Sequence, residues 1–227
     1  WAAYGINKDF GCSYESMTHE WSNNPVGRIR LLTQCRQLYT FSHACQIQPS
    51  DELHEILEPL FRFIITRYFV NERWIFSLND DLSTKDTQSD AYAIAFVLLS
   101  FSHYYKVTQD DRALSYMKKT HRFLHEKMQS EAGGFYETYP VDDTQIRRQN
   151  PHMHLFEAMM SLYTASGDKT YLGYADHIYS LFCKHFYDES TVSITEFFRA
   201  DFTPAKGDKS REIEPGHAAE WIWLLGW

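Results

Sequence analysis

The feature that most restricts the fold is an internal repeat. Tyr105-Lys-Val-Thr-Gln-Asp-Asp-Arg-Ala-Leu114 lies over Tyr163-Thr-Ala-Ser-Gly-Asp-Lys-Thr-Tyr-Leu172 at an offset of 58 residues. The register carries on, with Tyr116 over Tyr174 and Leu124 over Phe182. Each copy reads as an inner helix, a short turn closed by Asp110 or Asp168, and an outer helix. Such hairpins bury their apolar faces only against neighbours, so they stack into an open solenoid or close into a ring. The helix before each turn is the more apolar member, as expected of the layer that lines a ring.

Segments with helical period cover most of the chain. They run from about Pro25 to Ile47, with Pro25 suited to a first helical turn. A second follows Ser50, an N-cap candidate, and aligns Leu53, Ile56, Leu57, Leu60, Phe61 and Ile64 on one stripe. Others span about Thr87 to Lys106, Asp110 to Met128, Pro151 to Ala165 and Lys169 to Phe186, and a last one starts at Pro215 and is still running at Trp227. Trp74 to Leu78 reads as a strand or turn, and Gly133-Gly134 as a break. The expectation is an all-α chain of about seven helices.

Composition narrows the function classes. The net charge of −8 argues against a nucleic-acid partner, which calls for a basic face. No apolar run approaches ~18 residues, so no transmembrane helix is expected; the longest candidate, Ala91 to Phe101, reads as a buried helix. Cys12, Cys35, Cys45 and Cys183 show no C-x-x-C spacing and read as buried free thiols in a reducing compartment, so the chain is assigned to the cytoplasm. Aromatic residues reach 16%, which suits helix-packing cores and also walls that stack on sugar rings.

Polar residues mark two helix starts. In Asn150-Pro-His-Met-His154-Leu-Phe-Glu157-Ala158, Pro151 fits a first helical position with Asn150 as its N-cap. His154 and Glu157 are three apart and share a face, which Asn150 reaches from four residues before His154. Glu214-Pro-Gly-His217-Ala-Ala-Glu220-Trp221 repeats the design with His217 and Glu220. Either histidine alone could be a cap. Two separate helix starts with the same His-x-x-Glu pattern, opening on one cavity, point to chemistry instead. His152 and His154 are two apart and diverge on a helix, so a shared metal ion is not expected. Arg36 stands among Leu31, Leu32, Leu38, Tyr39 and Phe41, where an unpaired charge costs several kcal/mol; its plain reading is a side chain that reaches to the surface. Tyr92 is core unless its hydroxyl faces the cavity.

Taken together, Gln34-Cys-Arg36-Gln-Leu-Tyr-Thr-Phe-Ser42, Tyr92-Ala-Ile-Ala-Phe96 and the two His-x-x-Glu segments resemble the N-acylglucosamine 2-epimerase family, which includes cellobiose 2-epimerases and mannose and sulfoquinovose isomerases. The resemblance implies an (α/α)6 toroid and sugar chemistry with no metal or other cofactor. It implies His217 and His154 as catalytic, and Arg36, Tyr92, Asn150 and Glu220 as contacts to a monosaccharide or disaccharide. It further implies removal of the C2 proton of an open-chain aldose and passage through an enediolate, with His217 as one general base and Glu220 orienting it or binding a hydroxyl. A homodimer is allowed. The family's second catalytic histidine on a late inner helix has no counterpart here, and a six-hairpin ring needs twelve helices. The chain is therefore expected to be one toroid catalytic domain over residues 1–227, truncated at both ends and short of full activity. Rival readings are a mannose-type aldose–ketose isomerase, an inverting glycosidase or lyase, and a non-catalytic helical-repeat binding protein.

Overall fold

The computed structural model describes all 227 residues. Its helices form three consecutive hairpins and one further helix. The first pairs α1 (Leu31–Ile47) with α2 (Asp51–Arg67), the second α3 (Ala91–Thr108) with α4 (Asp111–Phe123), and the third α5 (Gln149–Ser166) with α6 (Thr170–Leu181). The last helix is α7 (Pro215–Leu225). Helices α1, α3 and α5 pack side by side as an inner layer, and each outer helix packs on its own partner. The inner helices run parallel. Arg36 and Tyr92, near the starts of α1 and α3, touch each other, as do Ser102 and Ser161 farther along α3 and α5.

The sequence repeat is a repeat of geometry. Gln109 and Gly167 end α3 and α5 in left-handed conformation, with φ of 55° and 72°. Each donates its N–H to the tyrosine carbonyl four residues back, Tyr105 or Tyr163, at 2.8 Å. The Asp110 and Asp168 carboxylates then accept the backbone N–H two residues on, both at 2.9 Å. The outer helices α4 and α6 each close in a π-helical turn, Leu124–Met128 and Phe182–Phe186, again 58 residues apart. The Ser50 cap is present, its hydroxyl accepting from Leu53 N–H at 3.3 Å.

Small antiparallel ribbons fix where the inner helices begin. A two-residue strand enters each one: Ile29–Arg30, Ser89–Asp90 and Arg147–Arg148. Each pairs with a strand in the loop that follows the same hairpin, Ser77–Leu78, Thr138–Tyr139 and Phe197–Phe198 respectively. The first helical N–H is taken by a carbonyl of that loop: Leu31 by Phe76, Ala91 by Glu137 and Gln149 by Glu196, at 2.9–3.1 Å. The ends of the inner helices where Arg36, Tyr92 and His154 stand are thus held to the returning loops.

Several local expectations are corrected. Pro25 starts no helix, because the chain stays extended through the Ile29–Arg30 strand and α1 opens at Leu31. The Trp74 to Leu78 segment, by contrast, carries strand as expected, in two pieces, Arg73–Trp74 and Ser77–Leu78. Helix α5 opens at Gln149 after Arg148, so Asn150 is not its cap and Pro151 is not its first residue; the carbonyl of Glu196 satisfies the leading N–H in place of a side chain. Helix α7 stops at Leu225. Cys12, Cys35 and Cys45 are buried free thiols as expected, but Cys183 is exposed. No helix is long and apolar enough to cross a membrane.

One apolar core joins all the hairpins. Around α7, by contrast, Ile222, Trp223, Leu225 and Trp227 are exposed, beside an apolar groove of about 510 Å³ lined by Phe182, Tyr187, Ile194 and Trp221 among others.

Candidate active site

The site grows from the first two turns of the inner helices. On α1, Arg36 is exposed and donates from Nη2 to the Tyr92 hydroxyl at 2.9 Å. Its guanidinium lies 4.6 Å over the Phe96 ring and 5.8 Å from that of Tyr92. The charge sits on aromatic faces, which hold a cation without neutralising it. On α3, Tyr92 and Phe96 are one turn apart and face the same way. On α5, the His154 ring meets both, at 5.1 Å from Tyr92 and 4.7 Å from Phe96. Burial pushes the Tyr92 phenol up; Arg36 opposes that rise and Glu220 adds to it, so Arg36, Tyr92 and Glu220 share one neighbourhood.

Each histidine has a carboxylate behind it. His154 Nδ1 is 3.1 Å from Glu157 Oε2, one turn along the same helix, with both side chains largely buried. Glu157 also faces Tyr39, whose phenol is pushed up by burial first and by that carboxylate second. His217 Nδ1 lies 2.9 Å from Glu196 Oε2. Glu196 is 3% exposed and comes from the loop before Phe197–Phe198. The expectation that Glu220 orients His217 is therefore corrected: the partner is Glu196, and Glu220 is exposed. Gln149 Nε2 donates to the same Glu196 oxygen at 3.0 Å, and Trp221 Nε1 donates to Gln149 Oε1 at 2.8 Å.

Asn150 lies one turn before His154, half-buried, and its Oδ1 is buried with no hydrogen-bond partner. That is a polar atom in want of a donor. His152 faces the other way. Its Nδ1 meets the Arg148 carbonyl at 3.0 Å, its Nε2 accepts from Phe135 N–H at 3.0 Å, and its ring packs against Phe186 and Phe202. Burial depresses it to about 3, so it is a neutral structural residue.

Glu196, Gln149 and Trp221 were not singled out from the sequence. The signal for Glu196 was there: a lone carboxylate in Ile194-Thr-Glu196-Phe-Phe198, the same anomaly that drew attention to Arg36.

Comparison with known proteins decides the family. The model of the N-acylglucosamine 2-epimerase (GlcNAc 2-epimerase) family matches residues 14–226. The chain belongs to this family. Its relatives include a mannose-6-phosphate isomerase of Rhizobium meliloti (strain 1021), 36% identical over 151 residues, which cover 65% of this chain and 38% of that protein. A cellobiose 2-epimerase of Bacteroides fragilis is 23% identical over 99% of this chain and 60% of its own length. Among solved structures, a cellobiose 2-epimerase from Spirochaeta thermophila DSM 6192 superposes with a TM-score of 0.89 at 23% identity, covering 100% of this chain and 58% of that one. The chain thus spans less than two thirds of each relative, and across that span it shares the helical fold of the family.

Proposed function

We propose that the chain carries the working face of a sugar epimerase or isomerase that acts at C2 of an open-chain aldose, within a catalytic domain of (α/α)6 toroid form. One observation carries the reading. Two histidines, each backed by a carboxylate, stand near the starts of α5 and α7, and a cation that no carboxylate neutralises lies over the Phe96 ring that His154 also meets. A binding scaffold has no need of carboxylate-backed imidazoles. Glycoside hydrolysis needs two carboxylates free to face the bond that breaks, whereas here Glu157 and Glu196 are engaged by histidines.

In this reading His217 takes the C2 proton through Nε2, because Nδ1 is bound to Glu196. The C–H electron pair moves into the C1 carbonyl and gives an enediolate. Arg36 faces the oxygen that gains charge; aimed donors of this kind contribute about 3 kcal/mol. The hydroxyl of Tyr92 fixes the guanidinium over the Phe96 ring. His154 and Asn150 bind hydroxyls or assist ring opening, with Asn150 Oδ1 free to accept one, and Glu220 binds another. Imidazole suits the transfer because it gains and loses a proton near neutral pH. No cofactor enters the scheme. The substrate is a mono- or disaccharide, the setting is the cytoplasm, and a homodimer is compatible with it.

Proton return to the opposite face of C2 gives the epimer, and return to C1 gives the ketose. The relative named a mannose-6-phosphate isomerase favours the ketose as a second reading. Product analysis by NMR after incubation with glucose, mannose, cellobiose and N-acetylglucosamine tests both. A C2 epimer or a ketose supports the proposal; released monosaccharide from cellobiose would replace it with hydrolysis.

A further inference from the structure

The buried chain Trp221–Gln149–Glu196–His217 has a fixed direction. An indole N–H can only donate, so Gln149 must turn its Oε1 toward Trp221. Its amide nitrogen is then left facing Glu196 Oε2, to which it donates at 3.0 Å. That oxygen acts as an acceptor, and it is the same oxygen that meets His217 Nδ1 at 2.9 Å. The hydrogen of the imidazole must therefore sit on Nδ1.

The repeat adds an independent argument. Glu137 and Glu196 occupy matching places, since each gives its carbonyl to the first N–H of the inner helix before it. The Glu137 carboxylate takes Arg148 through both its backbone N–H and its Nε, at 2.7 Å each. Ahead of the first hairpin, Glu15 likewise grips Arg30, the residue before α1, through its backbone N–H and its Nε. At Glu196, in the place that matches Glu137, the side chain met is His217, through one contact. A carboxylate that elsewhere fastens an arginine here meets a group able to give and take a proton.

We infer that Glu196 is a positioning residue, set by Gln149 and Trp221, which holds His217 with its hydrogen on Nδ1 and its lone pair on Nε2 toward the cavity. The inference rests on the function proposed above, which it deepens. Glu196 would also stabilise the imidazolium formed once the C2 proton is taken, as a buried carboxylate does for its neighbour. Its other oxygen, Oε1, is buried and takes no hydrogen bond. In Glu196→Gln the new amide nitrogen can occupy that place while the amide oxygen keeps both donors. This variant removes the charge and keeps the geometry. Glu196→Leu removes both.

The test is the ring-nitrogen NMR of His217 in the 227-residue protein without sugar, assigned by its loss in His217→Asn, together with C2 exchange rates in D2O. Expected are Nδ1–H in the native protein and in Glu196→Gln, and appearance of the Nε2–H form in Glu196→Leu. Trp221→Phe frees Gln149 to turn and is expected to bring in the second form as well. Exchange should fall about tenfold in Glu196→Gln and about 10²–10³-fold in Glu196→Leu, in kcat and not KM. A merely structural role would lower melting temperature without moving the tautomer. A native His217 with its hydrogen on Nε2, or a tautomer unmoved in Glu196→Leu and Trp221→Phe, overturns the inference; should Glu196→Leu fail to fold, Trp221→Phe decides alone. If the tautomers behave as expected but no sugar exchanges, the relay stands and the proposed reaction falls.

Discussion

His152 and His154 are two residues apart on α5 and do opposite jobs. His152 is 1% exposed and uses both ring nitrogens on backbone groups. His154 looks toward Tyr92 and Phe96 with Glu157 behind it. Substitution should separate them. His152→Leu leaves Phe135 N–H and the Arg148 carbonyl unpaired in the core and is expected to cost about 1–3 kcal/mol in urea unfolding. His154→Asn is expected to lie within about 1 kcal/mol of the native protein yet to lower C2 exchange about 10²-fold. Equal losses of stability in the two variants would show that His154 is a core residue. The sequence allowed this split to be read, because residues two apart on a helix must diverge. It did not allow Glu196 to be paired with His217, since that bond spans 21 positions and depends on the loop coming back.

Helix boundaries follow the same division between local and distant causes. The Ser50 cap and the Asp110 and Asp168 turns were legible because each is closed by a side chain acting within three residues. The starts of α1 and α5 were not, because carbonyls of Phe76 and Glu196 satisfy them from loops far along the chain. Proline at 25 and 151 therefore misled. The Gly133-Gly134 break was legible as a break, but its reason is tertiary. Gly134 has a φ of 60°, and a Cβ there would run into His152 Nε2. Gly167 has a φ of 72° with open space around it. Gly134→Ala should therefore cost distinctly more than Gly167→Ala, for which about 1 kcal/mol is expected from backbone conformation alone. Thermal melts of the two variants make the comparison; equal losses would mean that the contact with His152 gives way freely.

At the scale of the whole molecule, the hairpin order and inner-layer placement of α3 and α5 were readable from the 58-residue repeat and from apolar character. The ribbons that fasten each inner helix were not, since two-residue strands leave no periodic trace. Their effect is to gather the starts of parallel helices, and with them Arg36, Tyr92, Asn150 and His154, at one end. The fold also carries a pH signature. Burial holds His103 and His152 at about 3 and His121 at about 4, all below the unfolded value of about 6.5. The unfolded chain then binds more protons than the folded one below pH ~6.5, so stability contributed by these groups is complete above that value and is lost as pH falls toward 4. Melting temperature should decline over that window, and His152→Leu should flatten the decline while starting lower. A flat profile in the native protein would contradict the burial of these rings.

The central claim is that this face of the molecule moves the C2 proton of a sugar through His217. The most direct measurement is deuterium incorporation at C2 of an aldose in D2O, native protein against His217→Asn, with no net product required. The expected result is incorporation by the native protein at C2 of the aldose, or at C1 of a ketose formed from it, and at no other nonexchangeable position, reduced at least about 10²-fold in the variant. Incorporation that survives the substitution unchanged, or none by the native protein with any of the four sugars, would contradict it.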